Sequence, residues 1–188
     1  PSADVMLDVA AFRRLASPTA DERALVEALA LYRGELLAGV EVRDSPAWDD
    51  WLARQRDSLR REAVSALGRL AGQLEERGDL AEALAQVWRA LALAPWDESA
   101  HQRAMRLLAR QGDRAGALAQ YEACRRALRD ELGAEPAPET EALRDDIRDG
   151  RLAPRPEPRA LNLPASLFPL VGREEELSRL IACLRDPG

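Results

Sequence analysis

Apolar residues recur every three or four positions along most of the chain, which is the spacing that places them on one face of a helix. Such runs cover residues 4–14, 21–32 and 139–148. Alanine, leucine and arginine, which favour helices, dominate the composition, whereas residues that favour strands are few. The pattern therefore predicts an all-α fold.

The longest predicted helix begins at Ser45-Pro46. A serine side chain can accept the first amide hydrogens of a helix, and proline is preset for the first helical turn. No helix breaker follows before Gly78, so residues 45–77 are predicted to form either one long helix or two helices with a bend at Gly68 or Gly72.

The clearest internal signal is a repeat with a period of 34 residues. Residues 74–86 align with residues 108–120, with identities at eight of thirteen positions. Each copy reads helix, Gly-Asp turn, helix, and this order with this period is that of the tetratricopeptide repeat. We therefore predict a tetratricopeptide-like helical repeat array of two repeats plus flanking helices. Residues 64–95 and 98–129 would form adjacent helix pairs, with Ala83 packed against Leu67 to Leu74.

The composition excludes several classes of function. The 188 residues include 27 basic and 33 acidic side chains, and the formal net charge of −6 disfavours nonspecific binding to nucleic acid. No apolar run approaches the ~20 residues that a membrane-spanning helix needs, and no signal peptide heads the sequence. We expect no membrane partner and a cytoplasmic location. Because the sequence starts without Met, we also expect it to be part of a longer protein.

Residues with catalytic or metal-binding chemistry are scarce. Cys124 and Cys183 are far apart and form no Cys-x-x-Cys pair, which argues against a zinc site. His101 stands where the repeat expects a larger packing residue, as does Ala104, and we interpret His101 as structural or on the surface. Cys124 is interpreted as a packing residue. No nucleophile can be matched with a base, so we expect neither an enzyme nor a bound cofactor in this chain.

Two sets of arginines on neighbouring predicted helices are candidates for partner binding. The first set, at helical spacing, comprises Arg103, Arg106 and Arg110, and the second comprises Arg125, Arg126 and Arg129. One interpretation is a surface for an acidic partner or for a DNA backbone. The preferred interpretation is a solvated face whose arginines pair with neighbouring carboxylates.

Small residues form a second candidate feature, at Ser65, Gly68 and Gly72. A glycine inside a helix costs up to ~1 kcal/mol relative to alanine, so two of them call for an offsetting contact. We expect another helix to approach closely here, from the N-terminal region. The alternative is a peptide-binding groove, since this face lines the concave side of tetratricopeptide arrays.

The tryptophans divide into two groups. Trp48 and Trp51 are three residues apart and are predicted to lie in the core. Trp88 differs, because its counterpart in the second repeat is the polar Glu122. It is predicted to contact the N-terminal helices or, alternatively, to be an exposed anchor for a partner.

Three segments resemble the bacterial transcriptional activator domain of the streptomycete antibiotic regulatory protein family, namely residues 30–39, 112–122 and 128–140. The last contains a Glu-Pro-x-Pro-Glu-Thr motif, which departs from the family only in having Ala137 where a capping serine is common. The resemblance assigns residues 1–148 to this domain. It implies a position between a winged-helix DNA-binding domain and an ATPase, so that DNA is bound only through a missing domain. Expected partners are those domains, a second copy of the protein or RNA polymerase.

The rest of the sequence is predicted to be a connector and the edge of a further domain. Residues 149–169 contain five prolines and are predicted to be a linker. In residues 170–188, Val171-Gly172-Arg173 resembles the box that opens signal-transduction ATPases related to the AAA superfamily. The resemblance implies that ATP and magnesium are cofactors of the longer protein. The phosphate-binding loop of such an ATPase is not in this sequence.

Two functions from different classes follow. The first is a regulatory domain that transmits signals within a transcription activator. The second is a tetratricopeptide adaptor that binds a peptide or a partner protein in its concave groove. An enzyme fragment is the third choice, because only the Val-Gly-Arg box supports it.

Overall fold

A computed structural model describes residues 8–40, 42 and 45–152, and these residues form seven helices and no strand. The helices are α1 Asp8–Leu15, α2 Glu22–Leu31, α3 Pro46–Arg77, α4 Leu80–Leu93, α5 Glu98–Arg110, α6 Arg114–Leu132 and α7 Pro138–Arg148. They cover more than half of the chain, which confirms the predicted all-α class. The predicted linker beyond Leu152 and the segment 170–188, with Val171, Gly172 and Arg173, lie outside the described residues.

Helix α3 is one continuous helix that includes both internal glycines. Pro46 stands in its first turn, as predicted, but the side chain of Ser45 makes no capping hydrogen bond, which corrects that part of the prediction. Ser45 has a ψ of 76°, which is outside the extended range of a capping residue. Its backbone carbonyl, rather than its side chain, accepts hydrogen bonds from the amides of Trp48 and Asp49. The helix ends at Arg77 and is capped by Gly78, whose φ of 90° is one that other residues rarely adopt.

The two repeats are built alike. Helices α3 and α4 are joined by Gly78-Asp79, and α5 and α6 are joined by Gln111-Gly112-Asp113. The two glycines have similar backbone angles, with a φ of 90° at Gly78 and 85° at Gly112. Helix α4 also packs against α5, which extends the array from one repeat to the next. Ala83 lies in one buried cluster with five residues of α3, which confirms the predicted packing. Those five are Ala66, Leu67, Leu70, Ala71 and Leu74.

Flanking helices close both ends of the repeat pair. On the N-terminal side, Phe12 of α1 and Ala28 of α2 share a cluster with Leu59 of α3. On the C-terminal side, Leu143 and Ile147 of α7 pack with residues of α5 and α6. The flanking helices therefore bury the faces that the repeats would otherwise expose. Among the described residues, no helix is long and apolar enough to span a membrane.

The tryptophans at the start of α3 do not both lie in the core as predicted. Their rings are in contact, with centroids 5.1 Å apart, but Trp51 is 41% exposed. Successive residues of a helix are about 100° apart around its axis, so Trp51 lies well to one side of the buried face marked by Leu52 and Leu59. Trp48 is only partly buried.

Candidate interaction groove

The predicted glycine and arginine features come together in one place. Arg103 extends from α5 over α3 and donates a hydrogen bond to the carbonyl oxygen of Gly68. A Cβ placed on Gly68 would be 3.8 Å from Nη1 of Arg103, and one placed on Gly72 would be 3.9 Å from Nη2. The neighbour of the small residues is therefore a guanidinium from the next repeat. The predicted close approach of an N-terminal helix is wrong at Gly68 and Gly72, because the neighbour within 4 Å of a Cβ at either position is Arg103 of α5.

One carboxylate joins two members of the first arginine set. Glu75 of α3 lies 3.1 Å from Nε of Arg103 and 3.6 Å from Nη1 of Arg110. For these two arginines, pairing with a neighbouring carboxylate is what the structure shows. Arg106 differs, because the contact it makes among the described residues is to the neutral amide oxygen of Gln102, at 3.3 Å.

Two adjoining cavities follow the exposed side of α3. One, of about 350 Å³, lies between α3, α4 and α5, and its lining includes Gly68, Arg103 and Arg106. The other, of about 360 Å³, lies beside the α1–α2 connection and is lined by Arg13, Arg61 and Arg69 among others. Ser65 lines both, so the cavities are neighbours along one helix. We call the pair of cavities the arginine groove.

The arginines near α1 have partners of two kinds. Arg13 forms an ion pair with Glu62 at 3.0 Å, and Arg61 pairs with Asp57. Arg69 instead donates to main-chain carbonyl oxygens of the α1–α2 connection, including that of Ala16 at 2.7 Å. Backbone carbonyls orient a guanidinium but leave its charge uncompensated.

The second arginine set does not line this groove. Arg125 pairs with Glu122 at 2.9 Å, and Arg129 pairs with Glu135 at 3.0 Å. Both belong to the solvated face that was the preferred interpretation. Trp88, on α4, is 41% exposed and belongs to none of the buried clusters.

His101 and Cys124 are both buried and have structural surroundings. Nε2 of His101 donates to the carbonyl oxygen of Pro95 at 2.8 Å, and its Nδ1 accepts from the side-chain amide of Gln120 at 2.5 Å. Burial lowers the pKa of His101, against the opposing effect of the Pro95 hydrogen bond. Burial raises the pKa of Cys124 to about 12, which keeps it a thiol and a poor nucleophile.

The described residues show no arrangement suited to metal chemistry. Among them, no group of three or more histidine, cysteine or acidic side chains could hold a metal ion. The groove offers charge and hydrogen-bond donors rather than a nucleophile with a base. Its chemistry is therefore that of binding.

A polar junction that the sequence analysis missed fixes α7 to α5. Glu98 accepts hydrogen bonds from the backbone amide of Ala137, at 2.7 Å, and from the hydroxyl of Thr140. Gln102 donates to the same hydroxyl at 2.7 Å. Glu98 thus binds the backbone amide of Ala137, the residue that stands where a capping serine is common. Thr140 belongs to the Glu-Pro-x-Pro-Glu-Thr motif, but no sequence signal links it to Glu98 and Gln102, about 40 positions earlier.

Comparison with known proteins identifies one family. A family model described as the bacterial transcriptional activator domain matches residues 7–148. These residues include all seven helices of the described chain, both repeats and the arginine groove. The comparison with curated proteins gave no significant match.

Proposed function

Because the chain belongs to the bacterial transcriptional activator domain family, a class of regulatory and non-catalytic domains, we propose that it couples a DNA-binding domain before it to an ATPase domain after it. In this proposal the helical array receives a signal at one end and passes it to the other. ATP and magnesium are then cofactors of the longer protein. The 34-residue period supports assignment of the repeats to the tetratricopeptide class.

The observation that carries the proposal is that both end elements are joined to the repeats by specific hydrogen bonds. At the N-terminal end, Arg69 and Gln73 of α3 donate hydrogen bonds to carbonyl oxygens of the α1–α2 connection. The bond from Gln73 to the carbonyl oxygen of Ala20 is 3.1 Å long. At the C-terminal end, Glu98 and Gln102 of α5 hold Thr140 of α7. A displacement of either end must therefore be transmitted to the repeats or break these bonds.

The apolar core links the two junctions. One buried cluster contains Leu25 of α2, Leu70 of α3 and Leu107 of α5, and a second contains Met105 of α5 with Ile147 of α7. Packed interiors have low compressibility and transmit strain, so a shift of α2 is felt by α5 and then by α7. This continuity supports transmission along the whole array.

A substitution at the C-terminal junction tests the coupling. Thr140→Val keeps the shape of the side chain but removes the hydroxyl that joins α7 to α5. In a regulator that carries the DNA-binding and ATPase domains, we expect promoter-reporter transcription to fall several-fold. Operator affinity, measured by electrophoretic mobility shift, should stay unchanged. Thr19→Val, at an exposed position, is the matched control.

Hydrogen exchange of α7 decides how the outcome is interpreted. If the Thr140→Val variant exchanges faster in α7 while transcription is unchanged, the junction is loosened without consequence and the coupling proposal is wrong. If transcription and operator affinity fall together, the domain acts on DNA binding itself, and coupling to the ATPase is likewise rejected.

A further inference from the structure

The arginine groove concentrates positive charge in an otherwise acidic protein. Its two cavities are lined by five arginines and two carboxylates, whereas the whole chain has a formal net charge of −6. The two carboxylates are Glu62 and Asp97. Glu62 is paired with Arg13, and Asp97 accepts hydrogen bonds from Ser99 and from the amide of Ala100 at the start of α5. Among the described residues, neither carboxylate forms an ion pair with Arg69 or Arg106.

Two arginines of the groove have only neutral partners among the described residues. Arg69 donates to backbone carbonyls, and Arg106 contacts the side-chain amide of Gln102. One lines each cavity, and Ser65 lies in the lining of both. Two uncompensated guanidinium groups along one concave surface favour a ligand with more than one anionic group.

The residues that line the groove between these charges have small and partly apolar side chains. Val64, Val87 and Ala90 contribute to the cavity that contains Arg106, and Gly68 adds no side chain to it. Acidic side chains consist of methylene groups and a carboxylate. The apolar lining can contact the methylene groups while the arginines pair with the carboxylates. We infer that the arginine groove binds an extended acidic peptide segment of a partner protein. This inference does not depend on the proposed coupling.

Duplex DNA fits this surface less well. Arg13, Arg61 and Arg103 already have carboxylate partners. Among the described residues, that leaves Arg69 and Arg106 of the groove without one, whereas duplex binding depends on neutralising many phosphates at once. Cavities of about 350 Å³ admit an extended chain, whereas a duplex would bridge across their openings. Charge and shape therefore both favour a peptide.

Fluorescence anisotropy with defined probes tests the inference. The full 188-residue chain is titrated into a labelled peptide of alternating Glu and Ala and into its Gln-Ala counterpart. We expect the Glu peptide to bind at least ~10-fold more tightly, because only it can pair with the guanidinium groups. The difference should shrink as salt is raised, since salt screens exposed charges.

Variants assign the binding to the groove. Arg106→Gln should weaken binding of the Glu peptide about fivefold, which corresponds to loss of one partly exposed ion pair. Arg126→Gln, an exposed arginine on α6 outside the groove, is the matched control and should change nothing. Gly68→Glu should abolish binding, because it adds a carboxylate inside the groove at a position with room for a Cβ. Circular dichroism then verifies that this variant is folded.

Three outcomes would overturn the inference. The first is equal affinity for the Glu and Gln peptides, and the second is equal loss from Arg106→Gln and Arg126→Gln. The third is tighter binding of a short DNA duplex than of the Glu peptide at the same salt concentration, which would identify a DNA-backbone surface instead. A negative result here does not bear on the outcome of the Thr140→Val experiment, so the two proposals can be rejected separately.

Discussion

The two repeats share their turns and two core alanine positions, but their cores differ in chemistry. Helices α3 and α4 pack through leucine, valine and alanine side chains, including Leu67. At the position that corresponds to Leu67, α5 buries His101, which is hydrogen-bonded to buried Gln120 of α6. Together with Thr140 these are the buried polar residues of the described chain. The comparison shows that the same helix pairing accepts a polar core when each polar group finds a partner.

The repeats also distribute volume differently. The first has Leu70 followed by Ala71, and the corresponding positions of the second have Ala104 followed by Met105. All four residues are almost fully buried. The large residue has moved by one position, which explains why Ala104 leaves no shortfall in packing.

An identical residue can also have different surroundings in the two copies. Gln86 and Gln120 are equivalent in the sequence alignment. Gln86 is partly exposed and accepts a hydrogen bond from Arg89 at 2.8 Å, whereas Gln120 is buried against His101. Identity between repeats therefore indicates the backbone path rather than the environment of each side chain.

The largest expected effect comes from removing core volume. Leu70→Ala and Met105→Ala should each lower the free energy of unfolding by about 3 kcal/mol, since each leaves a cavity in a packed interior. If the two residues play the same role, their losses should agree within about 1 kcal/mol. Urea denaturation measures both. Leu132→Ala, at a position 59% exposed, is the control, and a loss for Leu70→Ala no larger than for this control would contradict the comparison.

Replacing the polar core residues of the second repeat with leucine should lower the free energy of unfolding by somewhat less than the loss of core volume does. His101→Leu leaves the Gln120 amide and the Pro95 carbonyl without their partner, and we expect a loss of about 2 kcal/mol. Adding Gln120→Leu removes one of the orphaned groups, so the double variant should recover about half of that loss. Chemical denaturation of both variants tests this. A double variant less stable than His101→Leu alone would show that the polar pair does not act as a unit.

Acidification should destabilise the protein through His101. Burial lowers its pKa from the usual 6.5, so below that value the unfolded chain binds the proton more readily than the folded one. The stabilisation is present above about pH 6.5 and declines as the pH falls, by at most about 1.4 kcal/mol per pH unit. Denaturation between pH 7.5 and 5.5 measures the slope. The His101→Leu variant should lack this component, and an identical slope in both proteins would refute the assignment.

The smallest effect separates the two turns. Asp113 accepts a hydrogen bond from the amide of Gly116 at 2.8 Å and caps α6, whereas Asp79 makes no capping bond and pairs with Arg77. Asp113→Ala should therefore cost about 1 kcal/mol and Asp79→Ala less than about 0.5 kcal/mol. Thermal unfolding of the two variants gives the comparison. Equal losses would mean that the cap adds nothing to the second turn.

Much of the fold could be predicted from spacing alone, whereas the site could be predicted only in part. The repeat period identified the packing of Ala83 with α3, because small and large residues recur on fixed helical faces. Gly68 and Arg103 are both candidates from the sequence, yet they are 35 positions apart and nothing in the spacing indicates that they touch. Trp51 was misassigned because its helical position lies about 100° from the buried face.

The sequence by itself determined the helices, the Gly-Asp turns and the helix pairing of the repeats, since these depend on local periodicity and on backbone conformations that glycine favours. Only the tertiary structure decided which charges are paired. Glu75 meets Arg103 and Arg110, and Glu98 meets Thr140, because helices distant in sequence bring them together. The same packing leaves Arg106 without a carboxylate among the described residues. Electrostatic partners depend on distances of a few ångströms, which the spacing of residues along a chain does not specify.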